Sequence, residues 1–267
     1  MNNLVSRVLV GAAGLPVVLG LVWLGGWWLF ALVAVAAVVG THEFATMARP
    51  LRPLTAAAYA AVLLALVGAQ TGGVVWLAAG FLSVFPLAFA LNALARTRAP
   101  ATAAIGSTVL GAAWIGFGLG FVILLRHVHR EPRLLTFTVL LAVFAADTLA
   151  YAVGRLVGRH KLAPRVSPGK TWEGLVGGFV GGVFVAFVAL YDDRHTYLHV
   201  WQALVLGLVV VVAAVLGDLF ESALKRDMEV KDTGRLLGGH GGILDRVDAL
   251  LFAAAAAYYV VLAFGYR

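Results

Sequence analysis

Between Ser222 and Asp248 the chain reads SALKRDMEVKDTGRLLGGHGGILDRVD, a polar stretch set between two long apolar runs. Lys225, Arg226 and Lys231 are cations that can neutralise phosphate oxygens, and Asp245 and Asp248 are hard oxygen donors of the kind a divalent cation takes. The run Gly238-Gly239-His240-Gly241-Gly242 offers backbone amides that can come close to phosphates because little side chain stands in the way. His240 is assigned to phosphate contact or loop geometry before proton transfer. Upstream, Asp218, Glu221, Ser222 and Lys225 fall at i, i+3, i+4 and i+7, so they share one helical face that leads into the basic stretch. Asp245 and Asp248 are three apart and share a face at the next helix start.

A second polar stretch, DTLAYAVGRLVGRHKLAPRVSPGKTWEG from Asp147 to Gly174, carries Arg155, Arg159, Lys161, Arg165 and Lys170. Ser167-Pro168-Gly169-Lys170-Thr171 reads as a turn just before a helix, with Glu173 in that helix's first turn, where a carboxylate complements the dipole. A capped helix start with basic orienting residues is one reading. A phosphate grip is the other, because hydroxyls and exposed helix N-terminal amides lie beside a dense set of cations.

The elements that hold these stretches are membrane spans. Of the 267 residues 62% are hydrophobic and only 12% charged, far from the composition of a soluble domain. Because a span needs about 20 apolar residues, nine candidates follow, roughly 5–24, 27–48, 54–70, 73–94, 101–125, 134–156, 172–190, 200–224 and 246–266. The first pair, split only by Gly25-Gly26, reads as a tight hairpin or a re-entrant element. The fold expected is an all-α polytopic helical bundle forming a single integral membrane domain over 1–267, with 1–140 as scaffold and 141–267 as the catalytic part. A cleaved signal peptide at the start is the lesser alternative to an uncleaved first helix.

Orientation follows from the loops. With nine spans, Arg7, Arg49, Arg52, Arg96, Arg98, Arg155, Arg159, Lys161, Arg165, Lys170, Lys225, Arg226, Lys231, Arg235 and Arg246 fall on the N-terminal side. Only Arg126, Arg130, Arg133, Arg194 and Arg267 fall opposite. The positive-inside rule then makes the N-terminus cytoplasmic and puts both polar stretches, 157–171 and 225–245, on the cytoplasmic face. Asp147 and Asp218 lie inside spans, where ionisable groups are costly and suggest a site. Helix packing against an Arg or a backbone group is the competing account for either.

Several other features carry less. The net charge of +7 suits orientation and anionic headgroups, and no nucleic-acid module is visible. With no cysteine, thiolate metal sites, thiol catalysis and disulfides are excluded. Gly177, Gly178, Gly181 and Gly182 form overlapping G-x-x-x-G spacings, and Gly116 with Gly120 repeats the pattern; these suit close helix packing within the bundle or across a dimer. Asp192, Asp193, His195 and His199 put two His at i, i+4 near two carboxylates and could bind a metal, but they, like His127 and His129, read first as solvated loops. His42-Glu43, at the cytoplasmic end of the second span, reads first as structural capping.

The run from Ser222 to Asp248 resembles the signature of the phosphatidate cytidylyltransferases, the CDP-diacylglycerol synthases. Ser222, Leu224, Lys225 and Arg226 open it, Lys231-Asp232 with Gly234 continue it, and His240-Gly241-Gly242 with Asp245-Arg246 and Asp248 close it. The earlier stretch is similar to the family's second recognisable region through Asp147, Tyr151, Gly154-Arg155, Ser167-Pro168, Lys170-Thr171 and Glu173-Gly174. One departure is Gly238, where family members often have proline. The resemblance implies transfer of CMP from CTP to phosphatidic acid, giving CDP-diacylglycerol and pyrophosphate, in a bacterial-type inner membrane with the active site on the cytoplasmic face. It also implies Mg2+, with room for a second cation, and a homodimer. It carries over Asp218 and Asp245 as metal ligands with Asp248 in support, and Lys225 and Arg226 as catalytic cations. Substrate contacts are implied for Ser167, Lys170, Thr171, Glu173, Ser222, Lys231, Asp232, His240, Gly241, Gly242, Arg246, Asp147, Tyr151 and Arg155. A secondary transporter would also carry intramembrane carboxylates, but along a midplane path. A CDP-alcohol phosphotransferase would share metal, lipid and nucleotide, but its acidic D-x-x-D-G with a downstream D-x-x-x-D is absent.

Overall fold

A computed structural model describes residues 3–94, 100–189, 198–234 and 241–266, with side chains from residue 14 onward. His240 lies outside the described residues, as do Arg235, Gly238, Gly239, Asp192, Asp193 and His195. The chain divides into two compact units, Met1–Leu124 with Met228–Val247, and Leu125–Asp227 with Asp248–Arg267. The middle of the 222–248 stretch therefore groups with the N-terminal helices.

In the first unit, α1 (Asn3–Leu24) and α2 (Gly26–Met47) are joined at Gly25, with φ 67° and ψ −157°. Helix α3 (Thr55–Leu82) reverses at Gly73, whose φ 74° and ψ −158° repeat that geometry. This backbone region is open essentially only to glycine, and in the first turn Gly26 also takes a positive φ, 52°. Beyond the reversal, the chain continues into α4 (Val84–Leu94), and Gly80 packs on the backbone of Leu64. Helix α5 (Ala101–Gly111) runs through a π-helical turn, Ala112–Phe117, into α6 (Gly118–Leu125). This stretch is the centre of the unit: Phe121, Ile123 and Leu124 are each 1% exposed. Glycines bring its neighbours close, Gly111 against the Phe44 ring and Gly116 against Val62. The start of α3 is held where Leu54 N–H donates to Thr108 Oγ1 at 2.8 Å.

In the second unit, α7 (Pro132–Val157) is followed by two short strands, β1 (Lys161–Ala163) and β2 (Ser167–Thr171), then by α8 (Trp172–Val188) and α9 (Val200–Asp227). Helix α10 (Leu244–Ala263) contributes everything after its first turn. Helices α7 and α8 lie antiparallel at close range. Gly174 faces Ala150 and Gly154, Gly178 faces Ala146, and Gly182 faces Ala142, so the glycine run serves packing within the unit. Helix α9 meets α8 at Gly207 against Val183, and meets α10 where Gly217 approaches the Asp248 backbone and Phe220 lies 5.4 Å from Phe252. The other end is tied by Trp201 against Phe264 at 5.3 Å, by Tyr266 donating to Gln202 Oε1 at 3.3 Å, and by Arg130 over the Tyr266 ring at 4.8 Å.

The helical membrane fold expected from the sequence is what forms. Six described stretches are long and apolar enough to cross a membrane, counting Thr55–Leu94 as one although it folds back at Gly73; Gly14–Leu24 and Trp172–Val188 are apolar but shorter. One expectation is overturned. Ser167–Thr171, read as a turn, is a strand paired antiparallel with β1, with Lys161 opposite Thr171 and Ala163 opposite Ser167. Three residues give β1 no alternation to read, and Pro168 and Gly169 disguise β2.

Candidate active site

The second unit gathers most of the expected residues around the C-terminal half of α9. Because α9 keeps its helix through Asp227, the face read from the sequence is real: Ser222 Oγ donates to Asp218 Oδ1 at 3.3 Å, and Lys225 Nζ pairs with Glu221 Oε2 at 2.8 Å. The hairpin brings the other half. Lys170, near the end of β2, pairs through Nζ with Asp218 Oδ2 at 2.5 Å, both side chains being only partly exposed. Arg226 Nε donates to the Val166 carbonyl at 3.3 Å, which ties the end of α9 to the turn between the strands. Asp248, on α10, is buried; the charges of Asp218 and Lys225 act on it, and Glu221 is its side-chain hydrogen-bond partner. Asp147, on α7, is exposed; the charges of Asp218, Asp248 and Lys170 act on it. Four carboxylates and two lysines therefore share this end of the unit.

The hairpin is itself held by α8's first turn. Thr171 is the N-cap, accepting from Gly174 N–H at 3.1 Å. Glu173 reaches back, accepting from Arg159 N–H at 3.1 Å and from His160 N–H, with His160 Nδ1 at 2.6 Å. These two roles are structural and fix where Lys170 stands. Tyr151 and Arg155 continue the exposed Asp147 face of α7, where Arg155 donates to Tyr151 Oη at 2.9 Å. Ser167 opens β2, half-buried.

The first unit holds the rest of the signature. Asp245 Oδ2 accepts from Gly242 N–H at 2.6 Å, from Thr233 N–H at 3.1 Å and from Thr233 Oγ1 at 3.0 Å. It reaches three residues back across the start of α10 in the manner of a capping box. Gly241 takes φ 77°, in contact with Asp245. Glu43, only 5% exposed, caps α10 from α2: Oε1 accepts from Ile243 N–H at 3.0 Å and Oε2 from Leu244 N–H at 2.9 Å. The capping reading of Glu43 is thus correct, although the helix capped is α10, two hundred residues away. Lys231, Asp232 and Arg246 are exposed.

A family model described as the cytidylyltransferase family matches residues 5–264. The chain belongs to that family. It is 34% identical over 282 residues to a phosphatidate cytidylyltransferase of Mycobacterium bovis, across 97% of this chain and 89% of that protein. The same identity and share of this chain hold for a phosphatidate cytidylyltransferase of Mycobacterium tuberculosis, 83% of which is covered. A phosphatidate cytidylyltransferase of Haemophilus influenzae is 42% identical over 135 residues, covering 48% of this chain and 47% of that protein.

For a cytidylyltransferase the donor chemistry suits a hard cation. Among the described residues no group of three or more His, Asp or Glu stands at metal-binding spacing. That is compatible with Mg2+, which takes one or two carboxylates and completes its shell with water and substrate phosphates. Asp218 already holds a cation, the Lys170 ammonium, against one oxygen. Two residues, one in each unit, were missed or undervalued in the sequence. Glu221 was visible as the i+3 member of the Asp218 face, and its burial to 2% exposure marks it as part of the charged cluster. Thr233, 5% exposed, with its hydroxyl 3.0 Å from Asp245 Oδ2 and 3.5 Å from Glu43 Oε2, had no sequence signal.

Proposed function

We propose that this cytidylyltransferase transfers CMP from CTP to phosphatidic acid, forming CDP-diacylglycerol and pyrophosphate. A phosphate oxygen of phosphatidic acid attacks the α-phosphorus of CTP; the new P–O bond forms as the bond to the β-phosphate oxygen breaks, and that oxygen leaves with pyrophosphate. A phosphate monoester has a second pKa near ~6 and is mostly dianionic at neutral pH, so no strong general base is needed. The work is to hold two anions in line and to stabilise charge on the leaving group. Lys170, Lys225 and Arg226 supply cations and Ser167 a hydroxyl; by the family resemblance Asp218 and Asp245, with Asp248 in support, would be the carboxylates for Mg2+. Bound Mg2+ would neutralise phosphate charge and orient the triphosphate.

The observation that carries the reading is the Lys170–Asp218 pair, together with Arg226 on Val166, which joins the basic loop to the signature helix. The family membership and the whole-length relatives support the choice of nucleotide and lipid. A cytoplasmic-face site rests on the distribution of Lys and Arg, and the homodimer on the family resemblance. The transporter and phosphotransferase readings have no support from the relatives. In the test, purified protein in mixed micelles with phosphatidic acid and Mg2+ converts α-labelled CTP into labelled lipid, and Asp245→Ala abolishes the conversion. An absence of CTP turnover in every lipid condition would remove the function, and full activity of Asp245→Ala would remove its metal role.

A further inference from the structure

The signature's loop is held from outside the signature, by a residue near the end of α2. Glu43 is buried, and its two oxygens are spent on the first N–H groups of α10: Ile243 at 3.0 Å and Leu244 at 2.9 Å. Its Oε2 lies 3.5 Å from Thr233 Oγ1, and that hydroxyl is 3.0 Å from Asp245 Oδ2. Thr233 N–H bonds Asp245 as well, at 3.1 Å. Around this knot the loop has no spare room: a Cβ on Gly234 or on Gly242 would run into the Glu43 carboxylate. A carboxylate from α2, a threonine hydroxyl and the helix N-terminus thus fix where the Asp245 carboxylate points. A buried carboxylate accepting several N–H groups is costly to disturb, because each donor it leaves stays unsatisfied.

We propose that Glu43 is a positioning residue for the cytidylyl transfer: it sets the α10 N-terminus directly and, through Thr233, the Asp245 carboxylate. The inference rests on the proposed function, in which Asp245 is a metal ligand. Its physical basis is the general sensitivity of metal sites to the groups that orient their ligands, whose loss typically costs about 10–100-fold in metal affinity or activity.

The test uses the whole purified protein and Mn2+ as the metal probe, titrated by electron paramagnetic resonance with and without CTP, beside initial rates and thermal unfolding. Glu43→Gln keeps the size but turns an amide donor toward an N–H donor. It is expected to weaken Mn2+ binding and lower kcat, each by about 10- to 100-fold. Thr233→Val should give the same phenotype, Thr233→Ser should restore wild-type binding, and the double variant should fall well short of the summed losses, as members of one network do. If Glu43→Gln lowers only the unfolding temperature and the folded protein binds Mn2+ and turns over like wild type, Glu43 is merely structural and the inference fails. Should Glu43→Gln not fold, wild-type Mn2+ binding by Thr233→Val overturns the inference on its own. A wild-type protein that turns over no CTP sinks the proposed function itself, a result distinct from active wild type with indifferent variants.

Discussion

Replacing Lys170 by methionine removes the cation from a pair whose partners are 23% and 31% exposed at the side chain. Fully exposed ion pairs contribute about 0.2–1 kcal/mol, and breaking a buried pair costs about 3–5 kcal/mol. This pair lies between those limits, and a hydrogen bond to a charged group contributes about 1.5–3 kcal/mol. A loss of about 1–3 kcal/mol is therefore expected, on the order of 2–10 °C in the unfolding midpoint for a chain of this size. Asp218 makes the loss asymmetric, because without Lys170 its carboxylate stays beside Asp147 and Asp248, whose charges interact with it. Neutralising Asp218 as well should therefore recover much of the midpoint lost by Lys170→Met. Activity should behave differently. If Lys170 turns to a substrate phosphate during turnover, kcat/KM for CTP should fall about 10- to 100-fold or more on losing one charge-assisted contact. Lys170→Met combined with Asp218→Asn should then be no more active than Asp218→Asn alone. The assays are thermal unfolding in detergent and initial rates with labelled CTP for the four proteins of the cycle. Strictly additive midpoints, or wild-type kcat/KM in Lys170→Met, would refute the coupling.

Two further outcomes follow from packing and topology. Gly174→Ala should destabilise by about 1–3 kcal/mol, because its Cβ would stand 2.6 Å from the Ala150 carbonyl oxygen; Gly169→Ala, with nothing within 4 Å, should stay within about 0.5 kcal/mol, and thermal unfolding of the pair checks both. Since the chain has no cysteine, single cysteines at Arg165 and Arg130 can be probed in sealed, inside-out vesicles with a membrane-impermeant maleimide. Labelling at position 165 and protection at 130 is expected, and the reverse pattern would invert the proposed orientation.

Much of the fold was legible because membrane helices announce themselves by length and apolarity, and both hairpin breaks fall at glycines the sequence displays, Gly25 and Gly73. The π-helical turn at Ala112–Phe117 was not legible, since its apolar residues read as uninterrupted helix. The hairpin of β1 and β2 was missed for a related reason: its pairing joins a three-residue strand to a segment containing proline and glycine, where neither period nor propensity speaks. Within a helix, by contrast, spacing is geometry. Both α9 pairs, Ser222 with Asp218 and Lys225 with Glu221, are i, i+4 contacts and were readable as one face.

What could not be read is the partner of each of those groups across the chain. Lys170 and Asp218 are 48 positions apart, brought together because the hairpin turns β2 toward α9 and Thr171 then starts α8. Glu173 illustrates how a correct local reading stops short. Its place in the first turn of α8 predicts a carboxylate complementing the helix dipole, and it is there. Yet its oxygens also take the Arg159 and His160 N–H groups and the His160 ring, from the far side of the hairpin. The same carboxylate that favours the helix start therefore closes the hairpin onto it, and the hairpin carries Lys170 to Asp218. A residue chosen by helix energetics is in this way also the one that sets the geometry of the charged cluster.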